Sequence, residues 1–456
     1  MTPAVDRSHP PAPGPLTAFR FPPFRHLRPA PGVDLYLARL GPTPLVHLEL
    51  LTVAGGHYDP PGGSGLAALT AELTDEGTSS RTSMEIAAAA ESLGGYLHSS
   101  AGWDHASIST SLPADRIDDA VELMLEVAAD PTFPPDELER LRRRALTELR
   151  NRRSQPGSRA QRALARGLYG DTPYGGFLLG SEESVRAIER SQVVDFHRRY
   201  AAGGPVRVVA VGDLDPDRLA DRLAERLPAR PAQEMPELPR IEPVPRDAVE
   251  VHLVDRPTAA QTELRVGLPG LSRADPDSTR ASLLNAILGG KFTSRINLNL
   301  RERHGYTYGA HSGFSRRLVA GPFVVRTAVA NPVAAAATRE ILGELDRIRR
   351  EPVTQEELED ARQYLLGVFP YTVQTIEGVA GRLGDLAVYG LPDDEYERLP
   401  RRLSTLTAED LLEVARRYLD PERALVVAVG PGDELEDSLA ELGPVRRVEE
   451  RSDFPL

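Results

Sequence analysis

The chain has 456 residues, 41% apolar and 27% charged, with a formal net charge of −13. That balance describes a soluble globular protein with room for more than one core, and its acidity argues against nucleic acid or an anionic membrane as partner, because phosphate binding needs clustered positive charge. With no cysteine, disulfides, thiolate nucleophiles and cysteine metal sites are excluded, which fits a reducing compartment.

In chain order, residues 1–20 are rich in proline (MTPAVDRSHPPAPGP) and lack a charged start, apolar core and cleavage site. They read as a disordered tail, and the protein as cytoplasmic. Nowhere do about 18 apolar residues run together, so no membrane span is expected. Residues 33–40 (VDLYLARL) and 45–53 (LVHLELLTV) read as strands, and 65–76 as a helix with Leu66, Leu69 and Leu73 on one face. Strands follow at 96–100 and 105–112. A long helix is expected over 136–153, with Leu138, Leu141, Ala145 and Leu149 as its buried stripe beneath a dense arginine face. Six prolines between Pro228 and Pro245 read as an extended, semi-rigid connector.

Beyond the connector the chain repeats itself. FPPDELER from Phe133 returns as VTQEELED from Val353, and VVAVGD from Val208 returns as VVAVGP from Val426, at offsets of 220 and 218 residues. Between them QVVDFHRRY from Gln192 matches DLLEVARRY from Asp410. This is one internal duplication rather than a short-period solenoid. It divides the chain into a tail (1–20), an N-terminal half (21–228), a linker (229–246) and a C-terminal half (247–456). Hairpins followed by paired helices give an α+β fold, each half packing helices on one side of a mainly antiparallel sheet.

The stretch GSGLAALTAELTDEGT from Gly63 resembles the signature helix of the insulinase and pitrilysin metallopeptidases, which include the mitochondrial processing peptidase: G-L-A-H-x-x-E-H-x-x-x-x-G-T. Gly65, Leu66, Ala67, Gly77 and Thr78 match. In an H-x-x-E-H helix two histidines one turn apart bind zinc and the glutamate activates water, while a glutamate on a later helix completes the site. Here Ala68 stands at the first histidine position, Ala71 at the general base and Glu72 at the second histidine. Glu148, 76 residues after Glu72 and preceding Pro156, matches the distal glutamate. Glu72 and Glu148 alone cannot build a three-ligand zinc site, so no metal is expected in this chain. Two carboxylates on neighbouring helices more often pair with arginines than hold magnesium or calcium.

The C-terminal half is better preserved. LGGKFTSRINLNLRERHGYTYGAHSG from Leu288 resembles the family's L-G-G-x-x-S-R-L-x-x-x-L-R-E-x-x-G-L-x-Y segment. The resemblance implies that Arg301 and Tyr308 reach a zinc site on a facing domain, hold the scissile carbonyl and steady the oxyanion, chemistry suited to a guanidinium and a phenol in a dry cleft. It further implies a clamshell fold and a heterodimer: this chain as the zinc-less subunit, a homologous subunit with an intact H-x-x-E-H motif holding the zinc, and unfolded peptide as substrate. The alternative is an inert scaffold or peptide-binding protein of the same fold. Gly94 and Gly95 match a family turn leading into a sheet edge where substrate adds as a strand, so His98, Ser99, Ser100 and Ala101 are expected to face substrate.

Other features are weaker. His98, Asp104 and His105 could be drawn as a metal cluster, but solvated strand histidines are the plainer expectation, as for His304 and His311. Lys291 is the only lysine among arginines; biased base composition explains the rarity, leaving one candidate for Schiff-base chemistry.

Overall fold

The computed structural model describes residues 19–227, 229–230 and 237–448. Most of the proline-rich tail and the middle of the connector therefore lie outside the described residues.

Two six-stranded sheets carry the fold. The first consists of β1 (Arg25–Ala30), β2 (Val33–Arg39), β3 (Leu45–Thr52), β4 (His98–Ala101), β5 (Ala106–Pro113) and β6 (Val206–Gly212), in the order β1-β2-β6-β3-β5-β4. The second consists of β7 (Glu250–Asp255), β8 (Gln261–Pro269), β9 (Ala310–Phe314), β10 (Pro322–Ala330), β11 (Leu425–Gly430) and β12 (Val445–Arg447), in the order β12-β7-β11-β8-β10-β9. Without the first strand of each list the two orders are one topology, which is the duplication read from the sequence. Both sheets are mixed: β2 pairs with β6, and β7 with β11, in parallel, while the hairpin side of each is antiparallel. The repeated VVAVG runs are these long-range strands. Every residue of β11 is buried, as expected for a strand covered on both faces.

Alternation along the strands assigns those faces. On β2, Val33, Leu35 and Leu37 join Val46, Leu48 and Leu50 of β3 in a core beneath the Ile117–Ala129 and Pro216–Arg226 helices of the same half. The intervening Tyr36 and Ala38 pack with Leu51, Val209 and Val211 against Val379, Ala380, Leu383 and Leu386 of the Ile376–Tyr389 helix, which belongs to the other half. The exchange is reciprocal. The Pro156–Tyr169 helix lies on β7, β8 and β11, placing Ala160, Ala163, Leu164 and Leu168 against Val254, Leu425, Val427 and Val429. Each half thus keeps its own helices on one side, as expected, and the opposite half closes the other.

A polar junction joins the halves as well. The carboxylate of Asp104, 4% exposed, accepts hydrogen bonds from the Tyr174 hydroxyl at 3.2 Å and the Tyr389 hydroxyl at 3.1 Å. The Arg317 guanidinium lies 4.6 Å from the Trp103 ring and 4.2 Å from the Tyr174 ring, a cation–π stack shielded from water. This corrects the reading of His105 as a solvated strand histidine. It is largely enclosed, its Nδ1 has no hydrogen-bond partner among the described residues, and burial lowers its pKa. His98 on β4 is exposed. In the connector, Ile241 is buried and the Val244 N–H donates to the Leu168 carbonyl at 2.7 Å. Among the described residues no helix is long and apolar enough to cross a membrane.

Candidate functional site

The helix that resembles the zinc motif runs from Leu66 to Leu73 and is entered through Gly65, whose φ of +95° favours glycine. Asp59 fixes its start: its carboxylate accepts from the Gly65 and Ala67 N–H groups, each at 2.8 Å. These bonds favour the ionised form, but burial outweighs them and pushes the Asp59 pKa up to about 7.

Ala68 and Glu72 open into a cleft of about 410 Å³ that also takes in His98, Ser99, Ser100 and Ala101 of β4. The structure thus brings most of the sequence-derived residues together. Ala71 does not join them. It borders a separate void of about 30 Å³ lined by Leu50, Ile108 and His197. Glu148 sits beside the cleft on the Pro135–Ser154 helix, half-exposed, and accepts from Arg152 Nε at 2.7 Å.

These residues do not fit zinc. Neither position facing the cleft is an imidazole, the distal carboxylate is paired with Arg152, and the Arg144 and Arg152 side chains line the cavity. The carboxylates of Glu72, Asp75 and Glu76 line it as well, so the misfit lies in the donor set and its pairing rather than in the charge of the cavity. Among the described residues no group of three or more histidines and carboxylates is placed to hold a metal. No hydrolytic step is therefore derived through a metal at this helix.

The Arg301 segment is built differently. The Arg295–Asn297 turn continues into a wide π-type turn, Leu298–Arg303, that carries Arg301; such turns recur at functional positions. Arg295 anchors its start, donating from Nε and Nη2 to the Glu357 carboxylate at 2.6 and 2.8 Å. This guanidinium pulls the Glu357 pKa down to about 2. Gly305, at φ +65°, ends the turn, and the Tyr306 N–H returns to the Leu300 carbonyl at 2.8 Å, a left-handed glycine cap. Buried Asn297 ties both sides together: its amide donates to the Phe292 carbonyl at 2.6 Å and accepts from the Ala310 N–H at 2.9 Å.

On this braced backbone the side chains point outward. Tyr308 is 93% exposed and Phe292 58%. Arg301 lies over the Phe292 ring at 4.5 Å, and its nearest acid, Glu302, is 3.5 Å away, beyond an ordinary charged hydrogen bond. Tyr308 leads into β9, the outer strand of its sheet, as β4 is of the other. Lys291 is no Schiff-base candidate, since its buried amine is ion-paired with Asp360. Sequence reasoning missed Asp59, Phe292 and Asn297. Only Asn297, one of two amides (with Asn299) in an otherwise apolar run, offered a signal.

Two halves sharing one topology, with a helix that lacks metal ligands in the first, define an α+β clamshell fold of the peptidase type. The insulinase (peptidase family M16) profile matches residues 37–182, and the peptidase M16 inactive domain profile matches residues 187–365. The chain belongs to the insulinase-like M16 family. An uncharacterised zinc protease of Rickettsia bellii is 22% identical over 393 residues, covering 85% of this chain and 93% of that protein. The non-peptidase homolog YmxG of Helicobacter pylori is 23% identical over 381 residues, covering 83% and 87%. The crystal structure of a peptidase M16 inactive domain from Pseudomonas fluorescens superimposes with a TM-score of 0.82 at 29% identity, covering 90% and 98%.

Proposed function

We propose that this chain is the metal-free subunit of a two-subunit zinc endopeptidase, lending Arg301 and Tyr308 to the active site of a homologous partner that carries an intact H-x-x-E-H helix. The observation that carries this reading is the 93% exposure of Tyr308 beside Arg301, on backbone braced by Asn297 and Gly305. A lone structural role would bury the ring, whereas a group acting on a partner's substrate must project. Names of relatives, an M16 inactive domain and a non-peptidase homolog, support a member without its own hydrolysis. Within the complex the guanidinium and phenol donate to the oxyanion that forms on the scissile carbonyl. Unfolded peptide adds along the free edge of β4, where His98 to Ala101 line the cleft, because backbone pairing needs an unpaired edge more than any one side chain. Zinc resides in the partner, and the cysteine-free composition suits the cytoplasm.

The test is native purification of a tagged copy from its own cell, with mass spectrometry of what co-elutes. A one-to-one partner of similar length bearing H-x-x-E-H is expected. A large unrelated assembly would favour the scaffold reading.

A further inference from the structure

A second cleft, of about 240 Å³, lies in the C-terminal half among the Ser278–Asn285, Gln355–Val368, Ile376–Tyr389 and Glu395–Thr405 helices. Its lining mixes two chemistries: the apolar side chains of Leu365, Val368, Phe369, Leu399 and Leu403, and the guanidinium groups of Arg273, Arg316 and Arg382, with Glu395 and Tyr396 among them.

The charges do not balance. Arg316 donates from Nη1 to the Ser278 carbonyl at 3.0 Å, the Ser278 hydroxyl at 2.8 Å and the Ser282 hydroxyl at 2.9 Å, all neutral acceptors. Among the described residues no carboxylate pairs with it. Asp385 stands 3.9 Å from Arg273 and 3.5 Å from Arg382, and already accepts from the Tyr396 hydroxyl at 3.1 Å. Glu395 lies 3.7 Å from Arg273 and is held at 2.7 Å by Arg402. Four guanidinium groups thus meet two carboxylates, none at bidentate distance from the three arginines that line the cleft. Burial, with Arg273 and Arg382 alongside, pushes the Arg316 pKa down to about 10. Excess charge in an enclosed site is costly unless paired.

We propose that this cleft is a binding site for a small carboxylic acid with an apolar body. The carboxylate meets the guanidinium of Arg316 between Arg273 and Arg382, and the apolar body lies against Leu365, Phe369 and Leu399. Planar guanidinium donors match a carboxylate, and the volume falls just below the usual range for small-molecule sites. The apolar lining favours an organic acid over an inorganic anion.

Isothermal titration calorimetry on the full chain decides it, with phenylacetate, neutral 2-phenylethanol and sulfate as probes. Saturable one-to-one binding of phenylacetate is expected, weakened about tenfold or more in Arg316→Gln and in Arg382→Gln, with little binding of the alcohol. Arg382 is partly exposed, so Arg382→Gln decides the matter if Arg316→Gln fails to fold. No saturable binding, equal binding of the alcohol, binding of sulfate alone, or unchanged affinity in folded variants would overturn the proposal.

Discussion

Leu383 sits on a helix of the C-terminal half, yet it is fully buried among Tyr36, Leu51, Val209 and Val211 of the N-terminal sheet. Leu383→Ala removes three side-chain carbons, Cγ and both Cδ methyls, from a contact that crosses between halves. Because the site is closed by sheet on one side and helix on the other, it cannot collapse easily, and the cost is about 3 kcal/mol within the usual range of roughly 2–5 for such truncations. Native-state hydrogen exchange reads where that cost falls. If the reciprocal exchange of helices makes one cooperative unit, the slowest amides of β6, in the half that was not mutated, lose protection by the same amount as those of the Ile376–Tyr389 helix. Wild-type protection in β6 with loss confined to the helix would refute the interlocked architecture.

Glu49 on β3 is pushed up to about 7, chiefly by burial and further by Asp385, with Ser107 opposing. A carboxyl whose folded pKa exceeds its unfolded value binds more protons when folded. Its contribution is therefore complete below about pH 4 and is lost as pH rises to about 7. Glu49→Gln should accordingly gain on the wild type by about 3 kcal/mol between pH 4 and pH 8 in urea denaturation; a constant difference would show that Glu49 titrates normally. Elemental analysis of the purified chain should find well under one zinc per molecule, since Ala68, Ala71 and the Arg152-bound Glu148 supply no site. About one zinc per chain would contradict that.

Much of the fold was legible because the duplicated segments are buried on both faces or start helices. The VVAVG runs became β6 and β11, and the FPPDELER and VTQEELED segments open the Pro135–Ser154 and Gln355–Val368 helices. The stripe Leu138, Leu141, Ala145 and Leu149 is buried as its spacing predicts. Amphipathic periodicity says that a helix has an apolar face but not which sheet receives it, so the exchange of the Pro156–Tyr169 and Ile376–Tyr389 helices could not be read. The loss of metal ligands was plain from three positions. The pairing of the distal carboxylate, Arg152 bound to Glu148, depends on side-chain reach across one helical turn. Asp104 and Arg316 look like surface charges in a chain rich in both, and only tertiary packing reveals them as enclosed.

The central claim is that Arg301 and Tyr308 act on a partner's substrate, and turnover of the reconstituted complex tests it most directly. With assembly confirmed, Tyr308→Phe and Arg301→Ala should each lower kcat at least about tenfold with little change in KM, the pattern for losing a donor used in the transition state. Peptide cleavage at the wild-type rate in both variants would contradict the account.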